Sequence, residues 1–196
     1  MIEEELYARR LDRTFFARDA LVVARALIGT YLVCGSRAAR IVETEAYRGP
    51  KDLACHARVG LTRRTRTLLG DEGRAYVYLI YGMYDCFNVV CHGHGRGHAV
   101  LVRGGEPLLG IPEGARADGP GRLTRALEIT RALDGHDLSE RPLFLSARTR
   151  RPRVIGVSAR VGVAYAGAIA AKPWRFFDQD SAHVSRPSAR TIGLGR

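Results

Sequence analysis

AYVYLIYGMYDCFNVVCHGHGRGHAVLVRG, residues 75–104, packs three β-rich runs into thirty positions with no helical pattern between them. In AYVYLIYGMY (75–84) Tyr76 and Tyr78 recur at the two-residue period of a strand. CFNVVC (86–91) and HAVLVRG (98–104) follow, with the Gly/His-rich turn HGHGRG between them. Upstream, TYLVC (30–34) and ARIVETEAY (39–47) read as a hairpin closed at Gly35-Ser36, and Gly49-Pro50 breaks the second strand. Ile41 and Glu43 alternate with Val42 and Thr44 there, so the pattern predicts one buried face. Ahead of the hairpin, Leu21, Ala24, Leu27 and Ile28 recur at helical spacing, with Thr14 as the N-cap and Gly29 as the stop. Downstream, 104–121 reads as a long Gly/Pro-rich loop, 122–133 as an amphipathic helix, and 142–146 and 160–167 as short strands. Residues 51–74 read as an exposed Arg-rich connection, and 1–13 and 178–196 as loose ends. The order fits an antiparallel sheet with a few peripheral helices better than a βαβ series, hence one α+β domain over 1–196.

Composition narrows the function. With 196 residues, 46% hydrophobic and 26% charged, the chain can bury a core. That excludes a disordered tail, a collagen-like fibre and a disulfide-framed miniprotein. Thirty-one Lys+Arg against 20 Asp+Glu leave a net charge of +11, which favours a polyanionic partner, nucleic acid before membrane surface. An Arg-rich proteome is the competing explanation, since Lys51 and Lys172 are the only lysines. Cys34, Cys55, Cys86 and Cys91 form no C-x2-C pair, and MIEEELYARRLDR has no apolar leader region. The apolar stretch Ala20–Val33 contains Arg25 and is too short for a bilayer. These features predict a soluble, reduced, cytoplasmic protein.

Three constellations could carry chemistry. In ETEAY, alternation puts Glu43, Glu45 and Tyr47 on one strand face, either a base-and-aromatic site or a solvated face of ion pairs. Tyr76, Tyr78, Tyr81 and Tyr84 offer stacking surfaces for bases, and the Tyr81-Gly82-Met83-Tyr84 tip could enter a groove; a half-buried aromatic strand is the alternative. His92, His94 and His98 invite a metal reading, but only Cys91 is close by, and a mobile basic loop explains them as well. No Walker loop, GxSxG elbow or HExxH motif occurs.

Four blocks, in order and spacing, resemble the alkyladenine (methylpurine) DNA glycosylase family. They are Ile41–Pro50 with Asp52 and His56; Tyr76–Tyr84 with Cys86 and Asn88; Val100–Arg103 with Glu106-Pro107; and Gly119–Leu123. The resemblance spans roughly residues 14–177. Arg63 and Thr65 stand where the family usually has Pro and Asn, and Leu68-Leu69 where Met-Phe is common.

The resemblance implies a curved sheet like that of the nucleic-acid-binding terminal domain of a formyltransferase. It also implies a monofunctional glycosylase of base excision repair that rotates a damaged purine out of the duplex and hydrolyses its N-glycosidic bond. Under it, Glu45 activates water and Arg103 holds Glu45 and that water. Tyr47, His56 and Tyr78 sandwich the base, and Asn88 opposes the 2-amino group of guanine. Tyr81 is the wedge, flanked by Met83 and Tyr84, while Arg64, Arg66 and Arg122 meet phosphates. Double-stranded DNA with damaged purines is the partner of a monomer, and neither metal nor organic cofactor is required. Two alternatives remain: a non-catalytic basic nucleic-acid-binding domain of the same fold, and a metal-dependent hydrolase built on His92, His94 and His98.

Overall fold

The computed structural model describes residues 2–80, 82–150 and 152–185. Among these, eight antiparallel strands make one curled sheet. They are β1 (Tyr31–Cys34), β2 (Arg37–Arg48), β3 (Ala75–Ile80), β4 (Tyr84–Cys91), β5 (His98–Leu109), β6 (Leu143–Ser146), β7 (Ile155–Ser158) and β8 (Arg175–Asp178). Helices α1 (Ile2–Ala8), α2 (Arg13–Phe16), α3 (Ala20–Leu27) and α4 (Pro120–Ala126) pack against it. The architecture is α+β, with strand order β3-β4-β5-β2-β1-β6 and β7–β8 branching from β2.

β2 is the spine. Along one edge it pairs with β5; along the other it pairs first with β1 through Arg37–Arg40, then with β8 through Glu43–Glu45. Register slips on either side of Glu43 mark a bulge, the kind of irregularity that re-aims a side chain. Alternation predicted one buried face, yet every residue from 41 to 46 is buried. α3 covers one side, where Thr44 donates its hydroxyl to the Ala24 carbonyl at 2.9 Å. The other side is closed by the side chains of Arg103 and Arg175, by Ser185 and by the Val161 backbone. Leu27, Ile28, Leu32, Ile41, Phe87, Leu123 and Leu127 are fully or almost fully buried in one cluster between α3, α4 and the sheet. Each such side chain contributes about 1.5–3 kcal/mol.

Several expectations are corrected. The first helix is two, because Asp12 caps α2 by accepting from the Phe15 N–H and Asp19 caps α3 by accepting from the Leu21 N–H; Thr14 lies inside α2. The 51–74 connection is not simply exposed: Asp52, Ala54, Cys55, Ala57, Thr65 and Leu68 are buried, and a 3-10 turn spans His56–Val59. β5 continues past Gly104 to Leu109, with Pro107 tolerated beside a register shift opposite Ala38/Ala39. The 122–133 helix starts at Pro120, ends at Ala126 and resumes as a 3-10 turn at Arg131–Leu133, broken where Glu128 takes φ 57°. Residues 160–167 form no strand; β7 precedes them, and 3-10 turns over Ala164–Ala171, interrupted at Gly167 (φ 62°), begin within them. The expectation for 178–196 falls outside the described residues beyond Ser185, and Ser185 itself is buried. At the other end, α1 packs Leu6 against Val33, Ala38 and Phe144.

Candidate active site

Two carboxylates on β2 occupy contrasting surroundings, although both are fully buried. Glu43 is saturated. Its Oε1 accepts from Arg103 Nε (3.0 Å), Arg175 Nε (2.6 Å) and Ser185 Oγ (2.9 Å), and its Oε2 from the Ser185 N–H (2.6 Å). Glu45 has fewer partners: the Val161 N–H on Oε1 at 2.7 Å and the Tyr47 hydroxyl on Oε2 at 2.9 Å. Arg103, delivered by β5, lies between them, with Nε 3.5 Å from Glu45 Oε1. An ionised carboxylate offers about four acceptor positions, so Glu45 retains capacity that Glu43 has spent. Burial pushes the Glu45 pKa upward, opposed by the Arg103 charge and the two hydrogen bonds.

Beside this centre opens a cavity of about 580 Å³, within the range of small-molecule sites. Tyr47, His56, Tyr78, Asn88 and Arg103 all line it, as do Tyr84 and Arg122 at Gly119–Arg122. Glu45 lies behind Tyr47, Arg103 and Val161. His56 and Tyr78 meet edge-on with ring centres 4.6 Å apart, and His56 Nδ1 shares a 3.0 Å hydrogen bond with the Tyr76 hydroxyl. Burial, with Arg64 and Arg58 nearby, pushes His56 down to about 4, so it is neutral near pH 7. The Asn88 amide donates to the carbonyls of Tyr76 (3.1 Å) and Cys86 (3.4 Å), which fixes its orientation. Gly121 makes this rim possible: a Cβ there would come 2.8 Å from the Cβ of Tyr84.

The family model for methylpurine-DNA glycosylase (MPG) matches residues 14–182. The chain belongs to that family. It is a DNA glycosylase, a DNA-repair hydrolase acting on N-glycosidic bonds. Among similar proteins, one from Myxococcus xanthus named "Putative 3-methyladenine DNA glycosylase" is 52% identical over 181 residues, covering 90% of this chain and 93% of the relative. A namesake from Anaeromyxobacter dehalogenans (strain 2CP-C) is 50% identical over 184 residues, 91% of this chain and 88% of its own. Another, from Methanocella arvoryzae, is 45% identical over 192 residues, 90% and 96%.

Other residues singled out in the glycosylase fall as follows. Met83 is 69% exposed and Tyr84 39%, at the turn between β3 and β4; Tyr81 lies outside the described residues. Arg64 and Arg66 are exposed, Arg64 lying 5.2 Å from the Tyr78 ring centre. Arg122 is half exposed and paired with Asp118 at 3.2 Å. The loop that departs from the family pattern is held by its threonines. The Thr62 N–H donates to Thr65 Oγ1 (2.8 Å), the Thr65 N–H to Thr62 Oγ1 (3.1 Å), and the Thr65 hydroxyl to the Gly60 carbonyl (2.7 Å). Thr65 thus supplies a local side-chain-to-backbone lock of the kind short polar residues make.

The histidines divide, His94 apart from His92 and His98. His94 pairs with Asp71 at 3.0 Å, while His92 and His98 stack with centres 4.4 Å apart. Asp19 joins these two within metal-ligand reach, but its Oδ2 already takes Arg48 at 2.8 Å. Sequence reasoning missed Arg175, Ser185, Arg160 and Val161. Arg175 belongs to an unrecognised strand, and the others act through a backbone group or from a segment read as a strand or a loose end. No helix among the described residues is long and apolar enough to cross a membrane.

Proposed function

We propose that this glycosylase rotates damaged purines out of double-stranded DNA and hydrolyses the N-glycosidic bond with a water activated by Glu45. The observation that carries the reading is the asymmetry between saturated Glu43 and Glu45, which keeps open acceptor positions beside Arg103 at the back of an aromatic cavity. Arg103 and Val161 both touch Glu45 and line the cavity, which supports entry of the water between them. Glu45 takes a proton as the water oxygen bonds C1′, and the C1′–N bond breaks with its electron pair going to the base. The negative charge of Glu45 also stabilises the oxocarbenium-like sugar.

Tyr47 stacks on one face of the flipped purine and His56 with Tyr78 on the other. Because His56 is neutral, it does not repel a cationic alkylated ring, and the aromatic faces favour such a ring by about 0.5–2 kcal/mol. 3-Methyladenine and 7-methylguanine are the cationic candidates, the latter carrying the 2-amino group that Asn88 opposes, and hypoxanthine and ethenoadenine are the neutral ones. The immobilised Asn88 amide opposes the 2-amino group of guanine. Lys51 and Lys172 are exposed and neither lines the cavity, so neither lysine is placed for a lyase step. The enzyme leaves an abasic site and uses water as its only co-reactant. It works as a monomer in the cytoplasm. Tyr81 fills the gap in the base stack beside Met83 and Tyr84, and Arg64, Arg66 and Arg122 meet phosphates.

The test is single-turnover incubation, with EDTA, on duplexes holding one hypoxanthine or one methylated purine. Abasic sites appear at the lesion and fail to appear with Glu45→Gln. Tight lesion binding without base release from either duplex overturns the mechanism in favour of a non-catalytic binding domain. Activity lost only in EDTA returns attention to the histidines.

A further inference from the structure

One ion pair outside the reacting groups touches three parts of the site at once. Arg160 forks onto Asp52, Nη1 to Oδ2 at 2.6 Å and Nη2 to Oδ1 at 2.9 Å, and both side chains are fully buried. Nη1 also donates to the Ala46 carbonyl of β2 at 3.0 Å. The guanidinium carbon lies 4.6 Å from the Tyr47 ring centre and 4.9 Å from that of Trp174. Asp52 in turn accepts the N–H groups of Arg48 and Ala54, both at 3.1 Å, and so shapes the turn that leads to Cys55 and His56. The next residue after Arg160 is Val161, whose N–H reaches Glu45 Oε1 at 2.7 Å.

Stability alone is a poor account of this pair. Removing two charges from water costs about as much as their attraction returns, and apolar side chains of similar volume fill such a space as well. Arg160 Nε is moreover buried without a hydrogen-bond partner among the described residues. What the pair supplies is registration. A planar, bidentate guanidinium fixes direction as well as distance, and here it backs Tyr47, anchors the turn to His56 and sets the peptide that holds Glu45.

We propose that Arg160, clamped by Asp52, is a positioning residue that aligns the stacking face of Tyr47 with the Glu45 carboxylate. The inference rests on the Glu45 mechanism above. Loosening the clamp leaves DNA association intact and slows bond cleavage, because the stacked base and the water are no longer held in one geometry.

The experiment compares wild type, Arg160→Lys and the charge-neutral double variant Asp52→Asn/Arg160→Met. It reads the single-turnover rate at saturating enzyme, the dissociation constant for the lesion duplex, and the pH dependence of that rate. The double variant is expected to lose on the order of 100-fold in rate, with its dissociation constant within about threefold of wild type. The acid limb of its profile moves upward by on the order of one pH unit, because Glu45 loses the Val161 N–H that favours its ionised form. Arg160→Lys keeps the charge but not the fork and recovers only part of the rate. A folded double variant with wild-type rate and an unmoved acid limb overturns the proposal. So does a rate loss matched by an equal loss of affinity with no change in profile, which marks a merely structural pair. If the double variant does not fold, Arg160→Lys decides by the same readings. Wild type that releases no purine from any duplex refutes the mechanism itself, before the variants are compared.

Discussion

Removing the charge from Glu43 or from Glu45 separates structure from chemistry within one strand. Glu43→Gln keeps the shape but places an amide NH2 against donors on one side or the other, since Arg103, Arg175 and Ser185 Oγ donate to Oε1 and the Ser185 N–H to Oε2. Arg103 is then left with Glu45 at 3.5 Å, and the fully buried Arg175 loses the carboxylate it pairs with among the described residues. Breaking a buried ion pair in this way costs about 3–5 kcal/mol, out of about 5–15 kcal/mol for a typical domain. At this chain length the thermal midpoint falls by roughly 6–20 °C. Glu45→Gln is different. Burial already opposes the Glu45 charge, a glutamine can still accept from Val161, and Arg103 keeps Glu43. Its stability changes by less than about 1 kcal/mol, while base release drops by about 10²–10⁴-fold, the range of a lost general base. Below its melting range, Glu43→Gln still excises. Its acid limb shifts to lower pH, because the Glu43 charge is one of the influences raising Glu45. Thermal melts followed by circular dichroism, with single-turnover excision across pH, read both variants. A stable Glu43→Gln without activity, or a Glu45→Gln with near-normal excision, refutes the division of roles.

Three further outcomes follow from the same geometry. His56 and His98 are both held near 4, chiefly by burial, so the unfolded chain binds more protons than the folded one between there and about 6.5. Their stabilisation is full above about 6.5 and is lost as the pH falls; the melting temperature drops from pH 7 to pH 5, and a His56→Gln/His98→Gln variant flattens that slope, whereas equal slopes refute the assignment. Asn88→Ala removes the fixed amide at the purine edge and raises release of 7-methylguanine relative to hypoxanthine by about 1–3 kcal/mol of discrimination; a fall in that ratio shows that the amide attracts the 2-amino group instead. Replacing Arg64, Arg66 or Arg122 with Met lowers the slope of log affinity against log salt by about one for each phosphate no longer neutralised, and an unchanged slope removes that arginine from the interface.

The sheet was legible because β3, β4 and β5 follow one another through short Gly-containing turns, and a two-residue hydrophobic period has few other readings. What escaped notice was set by distant contacts. β8 is four residues long, and its pairing with β2 is as important as any pattern of its own. The 51–74 stretch looks polar letter by letter, yet Asp52 and Thr65 are buried because their side chains bond backbone N–H and carbonyl groups nearby. Of the site, the motif residues Glu45, Arg103, Tyr47, His56, Tyr78 and Asn88 come together around one centre. The distinction between Glu43 and Glu45 was invisible to alternation, which puts both on one face; it arises from Arg175 and Ser185, more than 130 residues away in sequence.

β2 is hydrogen-bonded along both edges and covered on both faces at Glu43–Glu45. Fraying of the loops, the helix ends or the outer strands leaves these amides paired, so deuterium reaches them only when the whole domain opens. The carboxylates thus share the fate of the last structure to melt. Partial opening can cost this enzyme its grip on DNA, but under the proposed mechanism the loss of its reacting group and the loss of its fold are a single event.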